Sequence, residues 1–262
     1  MSVSALGGLT RRLLGVSVLV VALGLWQAWA MSEDSFLLPT VSAVAERAWH
    51  VWPTADFLTN VAATLTRLAA GYAIGAGMGV VVGLLLGSSY AARRTLEPLQ
   101  EFFRSVPAIA IVPAAIVVLG LGDTTRVAIV AFAVFFPVLV NTIQGVRAIS
   151  PEARDTAAML HVDRAELLVR VYLPAALPSI VAGLRVALGL GLVVVVISEF
   201  TISGGDGLGR YILVQQTQYN VPEIYGGILF LGLLGYVLNG LFLVAERRVL
   251  SWHYGATGES AA

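Results

Sequence analysis

The chain has 262 residues, of which 58% are hydrophobic and only 12% are charged, and its formal net charge at pH 7 is +0. Soluble domains carry about 25% charged residues, so this composition excludes an ordinary soluble protein and predicts a polytopic membrane protein. The absence of Cys excludes disulfides and thiol chemistry, and the 3 His residues are too scattered in the sequence to suggest a metal site.

The first apolar segment, residues 13–30, follows Arg11 and Arg12 and predicts a transmembrane helix. The rival interpretation is a cleaved secretory signal peptide, because Ala28-Trp29-Ala30 resembles a cleavage site. The segment is somewhat long for a signal peptide and further spans follow, so we favour an uncleaved helix. Residues 1–56 are then expected to form this helix and an external segment.

Later apolar segments predict further spans, at 57–90, 99–121, 127–144, 176–200 and 224–245. The second span carries glycines four residues apart, which let helices approach closely in lipid. Pro107 and Pro113 break the third span and Pro137 lies in the fourth, which indicates internally packed helices. We expect an all-α fold of about six transmembrane helices, with its core at residues 57–250 and a short cytoplasmic tail at 251–262.

A charged island at residues 150–178 separates the fourth and fifth spans. Seven of the Asp, Glu and Arg residues lie between 152 and 170, so this stretch is too polar to cross a bilayer. Ser150 can cap a helix, and Asp163 with Glu166 forms a capping box that starts a second short helix. Leu173-Pro174 is expected to end this second helix before the next span begins.

The arginine residues predict the orientation. With the amino terminus inside, ten arginines lie at the cytoplasmic face and three lie outside, which is a positive-inside pattern. The cytoplasmic set is Arg11, Arg12, Arg93, Arg94, Arg147, Arg154, Arg164, Arg170, Arg247 and Arg248, and the external set is Arg47, Arg126 and Arg210. The amino terminus and the charged island are therefore both predicted to be cytoplasmic.

Within the island, Asp155-Thr156-Ala157 is followed by His161 and then by Val171-Tyr172-Leu173-Pro174. This spacing resembles the Glu-Ala-Ala loop of bacterial ABC-importer permeases, with Asp in place of Glu and His in place of Gly. The resemblance implies that residues 148–175 form a coupling loop that docks into a cleft on an ATP-hydrolysing subunit. It implies coupling roles for Ala153, Asp155, Thr156, Ala157 and His161.

The resemblance extends from about residue 58 to residue 252. It is carried by Glu97-Pro98-Leu99, by residues 102–107, by Phe135-Phe136-Pro137, and by Ser198-Glu199-Phe200 with Gly207-Leu208-Gly209. Together these motifs are similar to the nitrate, sulfonate and taurine permease subfamily, which also serves other small organic acids and vitamin precursors. The similarity implies a type I ABC-importer permease fold in the bacterial inner membrane.

The same resemblance implies a set of partners. These are a second permease chain, most simply in a homodimer, two ATP-binding cassette subunits, and a periplasmic or lipid-anchored solute-binding protein. ATP and Mg would be bound by the ATPase subunits, because this chain contains no Lys and so cannot form a phosphate-binding loop. We expect no cofactor, no metal and no nucleic acid on this chain, and no enzyme activity of its own.

Glu199 and Ser198 are candidates for the translocation path or its gate. A carboxylate near a membrane span is costly unless it is paired or hydrated, so Glu199 invites a functional interpretation. The alternative is a structural ion pair with Arg126 or Arg210 across the outer face. The sequence leaves both interpretations open.

Three further polar residues carry weaker signals. Asn141 could line the path, although polar contacts between helices explain it equally well. Arg104 and Arg185, near the inner ends of their spans, could attract an anionic substrate, although snorkelling to the interface is the simpler explanation.

The sequence favours the permease subunit of an ATP-driven importer for a small solute. The alternative is a secondary transporter that works without an ATPase. Such carriers usually show inverted repeats and ionisable residues deep in the bilayer, and here no repeat is evident and the spans are nearly free of charge at mid-depth.

Overall fold

The computed structural model describes residues 3–33, 35–150, 152, 159 and 163–251, and this part of the chain is almost entirely helical. The helices in chain order are α1 (Val3–Glu33), α2 (Val41–Val51), α3 (Ala55–Ser88), α4 (Tyr90–Ser105), a 3-10 turn (Ala108–Ile111), α5 (Val112–Leu119), α6 (Asp123–Arg147), α7 (Arg164–Leu167), a π-helical segment (Leu168–Tyr172), α8 (Leu173–Thr201), α9 (Leu208–Thr217) and α10 (Val221–Val249).

Four helical segments of the described chain are long and apolar enough to cross a membrane: Ala55–Ser88, Asp123–Arg147, Leu168–Thr201 and Val221–Val249. Two shorter apolar helical segments, Ser17–Glu33 and Ala108–Leu119, overlap the first and third predicted spans. The all-α membrane fold is thus confirmed. The predicted set of about six spans corresponds to four long helices and two shorter apolar segments.

The third span, which Pro107 and Pro113 were expected to break, is interrupted at Pro107 only, and Pro113 lies in the first turn of α5. α4 ends at Ser105, Pro107 is extended with φ −61° and ψ 127°, and the chain resumes as the 3-10 turn and the eight residues of α5. Pro107 has no N–H to continue the ladder, which explains the break. The segment after the break reaches roughly 18 Å at 1.5 Å per residue, well short of a hydrocarbon core of about 30 Å.

The predicted helix stop at Leu173-Pro174 was wrong. The chain remains helical from α7 through the π-helical segment into α8, and Pro174 lies in the first turn of α8. A proline clashes with the carbonyl four residues earlier in a regular α-helix. The wider π turn directly before it changes that spacing, so the helix passes the proline without ending.

The chain divides into two packing units. The first comprises residues 1–58 and 211–231. Its centre is Phe57, which is buried and meets Tyr211 and Phe230 edge to face at ring-centroid distances of 5.1 and 4.9 Å. Trp52 also meets Phe230 edge to face at 5.2 Å, so an aromatic cluster holds this unit together.

The second unit comprises residues 59–210 and 232–262, and α3, α6 and α8 supply its core. One face of α3 is lined by glycines spaced four residues apart: Gly71, Gly75, Gly79, Gly83 and Gly87. A Cβ added at any of these positions would come within 2.9 Å of an atom of α6. The prediction that the glycines of this span allow close helix packing is therefore confirmed.

Gly75 provides a test of this packing, because a Cβ there would collide with the backbone carbonyl of Ala131 on α6. We expect Gly75→Leu to lower stability by at least the roughly 1–3 kcal/mol typical of overpacking. Gly77 is the matched control, since an added Cβ there meets nothing within 4 Å. Thermal melting in detergent, followed by size-exclusion chromatography, should show a large loss for Gly75→Leu and little change for Gly77→Leu. Equal melting temperatures would contradict the packing.

Candidate functional site

A buried ion-pair cluster joins α3, α6 and α8 within the second unit. Glu199, near the end of α8, is 0% exposed, and Arg67 on α3 is 5% exposed. Arg67 Nη1 donates to Glu199 Oε1 at 2.8 Å, and Arg67 Nε donates to Asp123 Oδ1 at 2.8 Å. One guanidinium thus links the first residue of α6 to the last turn of α8.

The Glu199 carboxylate has further donors. Thr64 Oγ1 lies 3.0 Å from each carboxylate oxygen, and the Gly209 amide donates to Oε2 at 3.0 Å. Thr64 Oγ1 also accepts from the Leu208 amide at 2.9 Å. Taking a carboxylate out of water costs several kcal/mol unless it is paired and hydrogen-bonded, and here each oxygen has such partners.

The same side chains hold the loop that follows α8. Arg126, which is 2% exposed, donates from Nη1 to Asp123 Oδ1 at 2.9 Å and from Nη2 to the Ile202 and Gly204 carbonyls. Arg67 Nη1 donates to the Asp206 carbonyl. Asn60 Oδ1 accepts from the Gly207 amide at 2.7 Å. The loop is therefore fixed by side chains of α3 and α6 rather than by its own backbone pairing.

Glycine is required in this loop because of both conformation and space. Gly205 and Gly207 have φ values of +73° and +147°, which side-chain-bearing residues rarely adopt. A Cβ at Gly205 would lie 3.4 Å from Arg126 Nη1 and 3.5 Å from Arg67 Nη2, and one at Gly207 would collide with the Glu199 carboxylate. The loop backbone can approach the charged cluster this closely only without side chains.

The cluster brings two guanidinium groups and two carboxylates together where α6 begins and α8 ends, beside a point roughly 18 Å along α3 from its start at Ala55. Asp123 is 66% exposed, so the cluster meets the surface there, whereas Glu199 and both arginines are enclosed. Such a network can change its pairing when the helices move, because each guanidinium has several acceptors within reach.

Comparison with known proteins identifies the family. Residues 75–250 match the model of the binding-protein-dependent transport system inner membrane component. The chain belongs to this family. It is the membrane permease component of an ABC importer, and this confirms the family and function predicted from the charged loop and its flanking motifs.

Relatives and a solved structure agree with the assignment. The permease is 30% identical to the bicarbonate transport system permease CmpB of Synechococcus elongatus, over 86% of this chain and 85% of CmpB. It is 26% identical to the putative aliphatic sulfonates transport permease SsuC of Bacillus subtilis, over 93% and 89% of the two chains. Its fold matches a chain of the inward-facing MetNI methionine ABC transporter with a TM-score of 0.66 and 19% identity, over 73% and 95% of the two chains.

In the permease structure, two of the predicted path residues lie together and two lie elsewhere. Ser198 is buried beside Glu199 and donates to the Val195 carbonyl at 2.7 Å. Asn141 lies 18 residues along α6 from Asp123, roughly 27 Å away, and donates to the Pro137 carbonyl at 2.8 Å. Arg104 is exposed at the end of α4 and shares a groove with Gln144 and Arg147 at the far end of α6.

The proposed partners of Glu199 were wrong. The sequence suggested Arg126 or Arg210, but the guanidinium that contacts Glu199 is that of Arg67. Arg126 belongs to the same cluster through Asp123 and the loop carbonyls. The coupling candidates Ala153, Asp155, Thr156, Ala157 and His161 lie outside the described residues.

Sequence reasoning missed Arg67, Thr64, Asn60 and Asp123. Arg67 carried a usable signal, because it is a charged residue well inside a span of 34 residues, and charges in such positions usually have a partner and a role. Thr64 and Asn60 carried no such signal. Their importance follows from the hydrogen bonds that they accept from the loop amides of Gly207 and Leu208, which form only once α3 packs beside this loop.

The first unit has a polar cluster of its own. Arg47 on α2 contacts Glu223 Oε1, and Tyr211 Oη donates to Glu223 Oε2 at 2.9 Å. Burial, followed by the hydrogen bond to the Glu223 carboxylate, raises the pKa of the Tyr211 phenol above its ordinary value of 10.0. The folded permease therefore holds the phenolic proton more tightly than the unfolded chain does.

Because the pKa of Tyr211 is raised in the folded state, the permease is expected to lose stability at alkaline pH. The stabilisation is fully present below pH 10, the ordinary value, and is lost as the pH rises towards the folded-state pKa, because the unfolded chain then releases the proton first. Tyr211→Phe should lower stability at neutral pH by roughly 1.5–3 kcal/mol, as expected for a hydrogen bond to a charged group. The same substitution should also reduce the loss of stability that occurs as the pH rises into the alkaline range. Melting temperatures at neutral and alkaline pH, with exposed Tyr219→Phe as control, test this. An identical alkaline decline in both variants would contradict it.

Proposed function

We propose that the permease carries a small oxyanion such as bicarbonate, nitrate or an alkyl sulfonate. The observation that supports this most strongly is the extent of its similarity to permeases named for bicarbonate and aliphatic sulfonates, which covers most of each chain. The sequence motifs around Glu97-Pro98-Leu99 and Ser198-Glu199-Phe200, which resemble the nitrate, sulfonate and taurine subfamily, support the same class. Bound solute would arrive from an external binding protein.

The assembly we propose contains two copies of this chain and two ATP-binding subunits. ATP and Mg would bind to the ATPase subunits, since this chain contains no lysine for a phosphate-binding loop. The amino terminus would lie in the cytoplasm, because that orientation places most arginines of the loops inside. In this orientation the coupling loop faces the ATPases and the Arg67–Glu199 cluster lies towards the outside.

Coupling would pass through the charged loop. Asp155, Thr156 and Ala157 stand at the motif position that docks in ABC-importer permeases, with Ala153 two residues before Asp155 and His161 four residues after Ala157. The small side chains of Ala153 and Ala157 would allow the loop to enter a protein cleft. The loop leads into α7 and the π-helical segment, which continue without interruption into α8. Motion of the docked loop would therefore be transmitted along one helix to Glu199.

Glu199 and Ser198 would then act at the outer gate rather than as an anion-binding site. The Glu199 carboxylate is already occupied by Arg67, Thr64 and Gly209, and its negative charge would repel an anion. A shift of α8 would exchange these contacts and release the glycine-rich loop. Asn141 and Arg104, at the other end of α6, would belong to the inner part of the path.

The composition of the native complex tests this proposal. The permease would be purified from its native membrane in mild detergent, and the proteins that accompany it would be identified by mass spectrometry. We expect an ATP-binding subunit in a ratio near one to one, together with a solute-binding protein. A permease that purifies alone and moves bicarbonate or nitrate into liposomes without ATP would instead establish the secondary transporter.

A further inference from the structure

Arg185 lies near the middle of α8 rather than near its inner end. It is about 18 Å from the start of the helix at Leu173 and about 24 Å from its end at Thr201, at 1.5 Å per residue. Arginines that snorkel to the interface lie near helix ends, so this explanation does not suit Arg185. A charge at this depth needs a partner or water.

The two arginines placed well inside the long helices differ in their pairing. Arg67 is enclosed and contacts Glu199 and Asp123, whereas Arg185 is exposed. Within the described part of the chain, no carboxylate forms a salt bridge with Arg185, and its recorded contact is a long 3.4 Å hydrogen bond from Nε to Asn239 Oδ1 on α10. Both terminal nitrogens of the guanidinium therefore remain available to a ligand.

The face of α8 that carries Arg185 is open, while the opposite face is packed. On the packed face, Gly183 lies against Asn141 of α6, and the Leu184 carbonyl accepts from Tyr72 of α3 at 2.9 Å. On the open face, a Cβ added at Gly189, one turn after Arg185, meets nothing within 4 Å. The same holds at Gly240, next to Asn239. Small residues thus leave space beside the guanidinium.

We propose that Arg185 binds the transported oxyanion midway along the translocation path, with the Asn239 side chain beside it. A guanidinium is planar and presents paired N–H donors that match two oxygens of a nitrate, bicarbonate or sulfonate group. This inference rests on the proposed function, because it assumes that the open face of α8 lines the path of an anion importer. It assigns anion recognition to Arg185 and leaves Glu199 to the gate.

The absence of native cysteine allows a direct test. Gly189→Cys would be introduced into the full-length permease in native membrane vesicles with its partners. The introduced thiol would be reacted with two methanethiosulfonate reagents of similar size, one carrying a sulfonate and one a trimethylammonium group. The rates would be read from the intact mass of the purified chain. We expect both reagents to react, and the ratio of anionic to cationic rates to fall at least roughly tenfold when Arg185→Gln is added.

Three comparisons make the result decisive. Arg185→Lys should retain most of the rate ratio, and Arg247→Gln, which removes an exposed charge at the end of α10, should leave it unchanged. Nitrate should slow the labelling of the introduced thiol when Arg185 is present and should have no effect with Arg185→Gln. If the introduced thiol reacts with neither reagent, or if the ratio of the labelling rates is unchanged in Arg185→Gln, the proposal is wrong. Labelling needs no ATPase, so this failure is distinct from the absence of an ATP-binding subunit in the purified complex.

Discussion

Replacing Arg67 by Met is expected to destabilise the second unit of the permease severely. The change leaves the Glu199 carboxylate buried without its guanidinium partner, and breaking a buried pair from one side typically costs about 3–5 kcal/mol. It also removes the contacts with Asp123 and with the Asp206 carbonyl, so the loop after α8 loses an anchor. The fraction of protein that stays monodisperse on size-exclusion chromatography after heating measures this effect.

A double-mutant cycle isolates the pair. Arg67→Met combined with Glu199→Met removes both charges, so the double variant should be more stable than the sum of the single losses predicts. Arg248→Met, at the exposed end of α10, controls for the loss of one positive charge. Strict additivity of the two single losses would show that Arg67 and Glu199 do not interact energetically.

Ala157→Glu is expected to abolish the stimulation of ATP hydrolysis by loaded binding protein, while the permease still folds. A larger, charged side chain at the motif position would prevent the loop from entering the cleft of the ATPase. The measurement is ATP hydrolysis by the purified assembly with and without binding protein and solute. The expected result is hydrolysis at the unstimulated rate under both conditions.

The control for this variant is Ala245→Glu, which makes the same substitution at an exposed position near the end of α10, outside the coupling loop. It should leave stimulated hydrolysis close to that of the unmodified assembly. Undiminished stimulation in Ala157→Glu would remove the coupling role from this stretch, and equal losses in both variants would show that the effect is not specific to the motif.

The long helices could be predicted because apolar length and glycine spacing are properties of the local sequence. Gly71, Gly75 and Gly79 lie on one face of α3 whatever helix packs there, so the sequence predicted a close approach. The course of the chain at its prolines depends on neighbouring turns. Pro107 ends a helix, whereas Pro174 does not, because a π turn precedes it. No local pattern in the sequence distinguishes these two cases.

The candidate site could be predicted only in part, for a related reason. A carboxylate near a membrane span is costly unless it is paired or hydrated, so the sequence alone identified Glu199 as a candidate. Its partner Arg67 lies 132 residues away in sequence, and the pair forms only because α3 packs beside α8. Arg126 was a reasonable choice of partner at the outer face, and it does lie in the cluster, but Asp123 and the loop carbonyls occupy its guanidinium.

For Arg185, the structure changes the interpretation that the sequence favoured. Its position suggested snorkelling as long as its span was taken to begin at residue 176. The continuous helix from α7 through α8 begins well before residue 176, which places Arg185 near the middle of that helix. The functional interpretation of Arg185 thus depends on where its helix begins, and Pro174 led to a predicted start that was too late in the sequence.

The most direct test of an ATP-driven anion importer is uptake by proteoliposomes that contain the purified assembly. Labelled bicarbonate, nitrate and an alkyl sulfonate would be offered outside with the binding protein, with ATP or a non-hydrolysable analogue inside. We expect accumulation of one of these anions that requires both hydrolysable ATP and the binding protein. Uptake that proceeds equally with the analogue, or without the binding protein, would contradict it.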